Sequence, residues 1–264
     1  MVKKFAKYGL LALALAFIYT PILVLVIFSF TDSIIIGDWN GFSFKLYEKL
    51  FNDSDIMKIV RDTVLLAVGA GCISTILGTM GAIGIFYSKK RTANFLNVLG
   101  NIPIINAEIV TALALALMFA MVLTFANKTI LSLVIGHVVI SVPYVVLSVL
   151  PKLKQMDANT YEAALDLGAT PIKALFSVVI PEILPGIVSG FMLALTLSLD
   201  DYIVTAFTKP DTFDTISTYV YNAVKVPAHS SLPALRALSA LIFLIIIVAV
   251  VVMNLRASKK GDNR

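Results

Sequence analysis

The chain has 264 residues, of which 59% are hydrophobic and only 14% are charged, and its mean hydropathy is +0.93. A soluble domain carries about a quarter charged residues, so this chain has too few polar side chains to cover a soluble surface. The composition favours an integral membrane protein. The net charge of +5 does not require nucleic acid as a partner, because short cytoplasmic loops of membrane proteins collect Lys and Arg.

Six stretches of the chain are long and apolar enough to cross a bilayer, which takes about 20 mostly apolar helical residues. They lack the alternating pattern of transmembrane barrel strands. They lie near residues 9–30, 63–87, 100–124, 129–151, 183–207 and 235–255. The sequence therefore predicts an all-α polytopic membrane protein in which residues 1–264 form a single domain with six transmembrane helices.

Four basic clusters alternate with these spans and predict their orientation. They comprise Lys3, Lys4 and Lys7; Lys89, Lys90 and Arg91; Lys152, Lys154 and Lys173; and Arg256, Lys259, Lys260 and Arg264. The positive-inside rule puts all four in the cytoplasm, together with both termini. The N-terminus resembles the start of a signal peptide, but the apolar stretch behind it reaches Phe30 and is too long for one. We expect it to be a retained first span.

The first predicted external loop, about 31–60, contains a turn signal around Trp39, the only tryptophan. Tryptophan favours the headgroup region, which predicts an interfacial anchor; contact with a partner or a substrate is the alternative. A short surface helix is expected over residues 46–51. In the second span, three glycines at intervals of three predict close helix packing: Gly78, Gly81 and Gly84. Cys72 is the only cysteine, so no intrachain disulfide is possible.

The predicted cytoplasmic loop between spans four and five has the signals of two short helices. Asn159 or Thr160 is expected to cap the first helix, and Gly168 to end it in a left-handed conformation. Thr170 is expected to cap the second helix, with Pro171 at its first position. The Ala-Ala pair at 163–164 leaves a thin helix face that can fit into a cleft on a partner.

This segment resembles the EAA loop of bacterial ABC-importer permeases, whose motif is Glu-Ala-Ala, three residues, Gly, nine residues and Ile-x-Leu-Pro. The matching residues are Glu162, Ala163, Ala164, Gly168 and Pro181. Val178 stands for the Ile and Ile180 for the Leu. The resemblance implies that residues 152–182 are a cytoplasmic coupling loop, which docks into a groove on an ATPase subunit and transmits its movement.

Over essentially its whole length the chain is similar to permease subunits of spermidine/putrescine importers, of PotC type. Shared stretches are Tyr19–Ile22, Ser29–Phe30, Ala163–Ala169 and Leu197–Asp201, whereas Leu46 stands where that family has an aromatic residue. The resemblance implies a type I ABC-importer fold in the bacterial inner membrane. It implies as partners a second permease (PotB type), two ATPase subunits (PotA type) and an extracytoplasmic polyamine-binding protein (PotD type).

Three carboxylates lie in or near predicted spans: Glu108, Asp200 and Asp201. A charge in the bilayer is costly, and such residues usually face a cavity or a partner charge. Adjacent helical residues point about 100° apart, so we expect one aspartate to face the pore and the other a neighbouring helix. A structural pairing with Arg236 or His137 is the alternative. The resemblance implies that the acids meet a polyamine cation.

Other polar residues complete the predicted pore site. Ser198 lies beside the aspartates as a hydrogen-bonding group, and Tyr202 can offer an aromatic face to a cation. Three further aromatic candidates are Tyr144, Tyr219 and Tyr221. His137 is expected to be a satisfied polar group between helices, because no second ligand cluster accompanies it. No metal site is predicted.

No Gly-x-x-x-x-Gly-Lys-Ser/Thr stretch is present, so the chain has no P-loop for ATP phosphates. We expect a non-catalytic subunit without its own cofactor, with ATP and Mg bound by a partner ATPase. The alternatives are an importer permease for another small solute, an ion-coupled transporter or channel, and an intramembrane enzyme. The EAA loop disfavours the ion-coupled class, and three membrane acids favour a cation over an oxyanion.

Overall fold

The computed structural model describes residues 2–33, 37–225, 233–244 and 247. Over these residues all regular elements are helices, which confirms the predicted all-α class. In chain order they are α1 (Val2–Phe28), α2 (Lys45–Asn52), α3 (Ser54–Tyr87), α4 (Lys90–Ile105), α5 (Glu108–Met121), α6 (Ile130–Gln155), α7 (Ala158–Asp166), α8 (Pro171–Ala174), α9 (Ile180–Asp200), α10 (Ile203–Thr208), α11 (Ile216–Lys225) and α12 (Pro233–Leu244). A 3₁₀ turn spans Thr124–Ala126, and a π-helical turn, Leu175–Val179, joins α8 to α9.

Within the described residues, four helices are long and apolar enough to cross a membrane: Tyr8–Phe28, Ser54–Tyr87, Ile130–Gln155 and Pro171–Asp200. They correspond to predicted spans one, two, four and five. Helices α4 and α5 provide a fifth candidate if the pair counts as one broken span. The predicted sixth span, 235–255, begins within α12, and apart from residue 247 its part beyond Leu244 lies outside the described residues.

Two predicted spans are not the continuous helices that we expected. The third, 100–124, is wrong as one helix because extended backbone at Ala107 and Asn106 separates α4 from α5, which are bent by 103°. The fifth, 183–207, is helical from residue 171 and ends at Asp200, with α10 resuming at residue 203. Hydropathy cannot detect either break because apolar residues continue on both sides.

The chain divides into two compact units, one formed by Met1–Lys58 with Val220–Arg264 and the other by Ile59–Tyr219. In the first unit, the expected surface helix forms as α2, which buries Leu46 and Leu50. Rings that pack against one another surround its start: Phe30, Phe42, Phe44 and Tyr47. Lys45 donates a hydrogen bond to Asp32, which lowers the pKa of that exposed carboxyl below its ordinary value.

Trp39 belongs to the same unit and packs edge-on against Phe28 at the end of α1, with 6.2 Å between ring centroids. Half of its surface stays exposed. The turn expected around it has glycines at both sides with positive φ, 117° at Gly37 and 93° at Gly41. A tryptophan at the end of an apolar helix suits the predicted interfacial anchor, which stays a prediction.

The second unit has α6 at its centre, packed along α9. The main core consists of apolar side chains from these helices and from α3: Ala82, Ile85, Val145, Val149, Leu150, Leu153, Val179, Ile183 and Ala194. A second core joins α5 and α10 through Ala112, Leu115, Phe119 and Val204. Helix α6 begins at a reciprocal capping box, in which Thr129 and Ser132 each bond the other's backbone N–H.

Candidate functional site

The acids of the predicted pore lie where apolar helices are interrupted. Glu108 is the first residue of α5, directly after the bend from α4. Asp200 is the last residue of α9, and two residues separate it from the start of α10. Interrupted helices leave backbone groups without intrahelical partners, and in membranes such breaks are tolerated inside protein or beside a cavity. The predicted pore acids thus coincide with the two breaks of this unit.

Asp201 is a buried cap at the second break. Its backbone is extended, with φ −64° and ψ 123°, so the helical 100° relation that we expected between the aspartates is wrong. One carboxylate oxygen accepts from the Val204 N–H at 3.2 Å, and the other from the Thr205 N–H at 2.7 Å and the Thr205 hydroxyl at 2.6 Å. A side-chain oxygen that accepts from first-turn amides stabilises a helix start, so Asp201 initiates α10.

His137 connects α6 to both sides of this break. Its Nδ1 lies 2.7 Å from the Ser198 hydroxyl in α9, and its Nε2 lies 3.0 Å from the Thr205 hydroxyl in α10. The Asp201 carboxylate is 3.6 Å from Nε2. Ring and carboxylate are both buried, and both ring nitrogens have hydrogen-bonding partners. His137 thus has the environment expected of a polar group between helices.

The five predicted pore residues fall into different environments. Glu108 and Asp200 are exposed, and Tyr202 is half-buried. Ser198 is 1% exposed and Asp201 5% exposed, and both use their side chains within the protein. The Glu108 carboxyl interacts electrostatically with those of Asp201 and Asp200. The three acids therefore form one cluster, of which only two members are open to the surroundings.

The three additional aromatic candidates are half-buried or exposed. Tyr144 and Tyr219 are half-buried. Tyr221 is 41% exposed, and the Lys225 ammonium lies 4.2 Å from its ring centroid. That ring already has a cation of this chain against its face. Leu46, the position at which the resembling family has an aromatic residue, is 1% exposed and packed inward from α2.

The predicted coupling segment folds into two short helices separated by Gly168. The expected cap at Asn159 or Thr160 is wrong, because the Asp157 carboxylate accepts from the Asn159 N–H and starts α7 at Ala158. Gly168 has φ +84° as expected. Its N–H bonds the Leu165 carbonyl, and the next N–H bonds the Ala164 carbonyl, which together make a Schellman ending.

The second helix of the segment begins as predicted. The Thr170 hydroxyl accepts from the Lys173 N–H at 3.3 Å, with Pro171 at the first helical position. Of the other motif residues, Glu162, Ala163 and Pro181 are exposed, and Ala164 is half-buried. Exposed apolar side chains accompany them: Leu167 at 90%, Ile172 at 71% and Phe176 at 66%. The segment therefore presents apolar surface beside exposed acids, among them Glu162 and Asp166.

A cavity of about 220 Å³ lies where the segment meets the end of α3. Its lining consists of Ile83, Tyr87, Tyr161, Pro171, Ile172 and Leu175. The Tyr87 and Tyr161 rings are 5.6 Å apart, so the residue before Glu162 packs on the last residue of α3. The segment thus packs against the end of the long helix α3.

Sequence reasoning missed two residues of the break region. Thr205 donates to Asp201 and contacts His137, and the Ser217 hydroxyl donates to the Asp201 carbonyl at 2.6 Å. The Asp-x-x-x-Thr spacing is a signal for Thr205, because an aspartate that caps a helix lies one turn before the amides that it binds. No local signal identifies Ser217, which is brought in by the chain reversal after α10.

Among the described residues no group of three or more His, Cys, Asp or Glu side chains is arranged to hold a metal ion.

Comparison with known proteins identifies the family of this chain. Residues 74–258 match the family described as binding-protein-dependent transport system inner membrane component. The chain is 32% identical over 238 residues to the putrescine transport system permease protein PotI of Escherichia coli (strain K12), covering 88% of this chain and 84% of that protein.

Two spermidine/putrescine transport system permease proteins named PotC are similar over almost the full length. That of Escherichia coli (strain K12) is 27% identical over 260 residues, covering 98% of this chain and 97% of its own. That of Haemophilus influenzae (strain ATCC 51907 / DSM 11121 / KW20 / Rd) is 29% identical over 263 residues, covering 100% of both. The chain belongs to the family of binding-protein-dependent transport system inner membrane components.

Proposed function

We propose that this chain is a non-catalytic permease subunit of an ATP-driven importer that moves polyamines across the bacterial inner membrane. A second permease of PotB type, two ATPase subunits of PotA type and an extracytoplasmic binding protein of PotD type complete the importer. Both termini of the chain are cytoplasmic. The ATPases bind ATP and Mg, and their movement reaches this chain through residues 152–182.

We infer a cationic substrate mainly from the exposure of Glu108 and Asp200 at two helix breaks. An ammonium group that leaves water needs oxygen ligands or negative charge in return. Asp200 supplies a carboxylate at the C-terminal end of α9, where the helix dipole is also negative. Glu108 adds a second exposed carboxyl group, and Tyr202 is the aromatic residue two positions after Asp200 in sequence. The names of the similar permeases, for putrescine and for spermidine/putrescine, agree with a polycation.

The support for ATPase coupling is the surface of residues 157–181. Glu162 lies on α7 and Ile172 on α8, both short and capped. The other exposed apolar side chains follow these helices, Leu167 directly after α7 and Phe176 in the π-helical turn. Exposed apolar groups of this size on a cytoplasmic segment are typical of a protein-binding surface. The pi-helical turn then joins this surface directly to α9, whose last residue is Asp200.

Uptake of radiolabelled spermidine and putrescine by the reconstituted complex tests the substrate. We expect ATP-dependent uptake of both, and a fall of about tenfold or more in the Asp200→Asn and Glu108→Gln variants, because a lost charge-assisted contact costs roughly that factor. Asp211→Asn is the matched control, since its side chain is 85% exposed in the loop after α10. A complex that hydrolyses ATP but moves neither polyamine would mean another solute.

A further inference from the structure

The helix break at Asp201–Tyr202 is held from three sides by buried hydrogen bonds. From α6, His137 contacts Ser198 and Thr205. From α10, the Thr205 hydroxyl donates to the Asp201 carboxylate. At the start of α11, the Ser217 hydroxyl donates to the Asp201 carbonyl. The N–H of Ile216, next to Ser217, donates to the Thr63 hydroxyl of α3 at 3.0 Å. A break in a membrane segment is tolerated where neighbouring groups satisfy the freed backbone, and α6, α10 and α11 supply polar groups here.

The hydrogen-bond directions in this region follow from the number of protons available. The single hydroxyl proton of Thr205 goes to the Asp201 carboxylate, its shortest contact at 2.6 Å. Thr205 must then accept from His137, which puts the proton of a neutral ring on Nε2. Nδ1 is left as the acceptor for the Ser198 hydroxyl. The chain Ser198–His137–Thr205–Asp201 is therefore fully satisfied with a neutral imidazole and an ionised carboxylate.

This arrangement leaves little capacity on Asp201 for a solute. Its carboxylate already accepts three hydrogen bonds, from the Val204 and Thr205 amides and the Thr205 hydroxyl, and the residue is 5% exposed. Asp200, one residue earlier, is exposed. The same backbone turn that buries one carboxylate directs the other outward, because Asp201 is extended and not helical.

We propose that His137 is a positioning residue that latches α6 to both halves of the broken segment, and that Asp201 is the helix cap held by this latch. Direct contact with the solute then falls to Asp200 and Glu108. The inference rests on the proposed transport of polyamines, since it assigns roles to residues of the proposed pore site. It assigns solute contact to Asp200 and helix capping to Asp201. It also explains the contact of His137 with Ser198, which lies 61 residues away in sequence.

The latch is tested by removing one hydroxyl. Thr205→Val keeps the shape of the side chain but removes the link between His137 and Asp201, and we expect uptake per assembled complex to fall about tenfold. Thr205→Ser restores the hydroxyl and should return uptake to within about twofold of the parent. Thr196→Val is the matched control, because that exposed hydroxyl bonds only the Met192 carbonyl within α9. The His137→Leu, Thr205→Val double variant should transport no worse than the poorer single variant, because both changes break one network.

The division between the aspartates is tested with two probes of different charge. Asp200→Asn should reduce the maximal uptake of spermidine, a trication, more than that of putrescine, a dication, because it removes a charge that the solute meets. Asp201→Asn retains a capping oxygen and should slow both probes by the same factor. Equal shifts of the spermidine-to-putrescine ratio in the two variants would overturn the inference, as would failure of Thr205→Ser to restore uptake. A parent complex that transports neither probe would instead reject the proposed function.

Discussion

At the scale of single residues, one glycine of the predicted packing face is a site of close helix contact. A Cβ at Gly78 would lie 2.6 Å from the Val145 Cβ of α6, closer than real Cβ atoms approach. At Gly81 the nearest neighbour is 3.7 Å away, and at Gly84 no atom lies within 4 Å. The three-residue spacing predicted a face of small residues, but only the atoms of the opposite helix determine which of them is needed.

Gly78→Ala should therefore destabilise the protein by about 1–3 kcal/mol, because the added methyl overpacks the contact with α6. Gly84→Ala is the control on the same helix, with open space around the new methyl. The measurement is the midpoint of thermal unfolding of each variant in detergent. Equal midpoints for the two variants would contradict the close contact at Gly78.

The candidate site could be predicted in part at this scale. Glu108 and Asp200 were found from the cost of a charge in an apolar run, which needs only sequence. The hydrogen bonding of Asp201 depends on the end of α9 at residue 200, which hydropathy cannot locate. The Asp-x-x-x-Thr spacing is a signal for Thr205 that our sequence reasoning missed. Ser217 acquires its contact from tertiary packing, so no pattern along the chain distinguishes it from other hydroxyl residues.

At the scale of elements, the coupling segment was the most predictable part of the chain. Gly168, Thr170 and Pro171 have strong positional preferences at helix ends, and each occupies the predicted position. The start of α7 was misplaced because several residues there can cap a helix, and Asp157 was overlooked. The bend between α4 and α5 was also missed, since local preference gives only a weak signal at Asn106 and Ala107.

Glu162, an exposed acid of α7, gives a test of ATPase coupling. Glu162→Lys should leave the complex inserted and should reduce polyamine uptake about tenfold or more, because it reverses the charge on the proposed docking surface. Glu48→Lys is the matched control, an exposed glutamate on α2 of the other unit. Uptake and ATP hydrolysis are measured together on the reconstituted complex. Normal ATP-driven uptake by Glu162→Lys would count against docking through this surface.

At the scale of the whole molecule, composition determined the class and hydropathy located the long helices. Four of the six predicted spans coincide with long apolar helices among the described residues. The division into two compact units was not predicted, because α3 and α11 continue through both boundaries without a polar linker. A boundary inside a helix leaves no trace in composition.

Orientation in the membrane is a prediction for the molecule as a whole. In a Cys72→Ser background, Leu167→Cys should react with an impermeant maleimide only in inside-out vesicles, and Asn40→Cys only in right-side-out vesicles. Both positions are exposed, and the positive-inside rule puts them on opposite sides. The background without an added cysteine is the control. Labelling of both positions from the same side would contradict six spans with cytoplasmic termini.

The π-helical turn Leu175–Val179 has a consequence for the angular phase of the segment before it. A π turn holds one residue more than an α turn, and each helical residue advances the chain by about 100° around the axis. Deleting one residue between 175 and 179 would preserve every charge and the hydropathy of the span. It would close the turn as an α turn and leave the flanking helices in the same phase. The same deletion in a regular α turn would rotate Glu162 and Gly168 by more than a quarter turn relative to the buried face of Ile183. The π turn therefore accommodates one residue without changing the angle between α8 and α9.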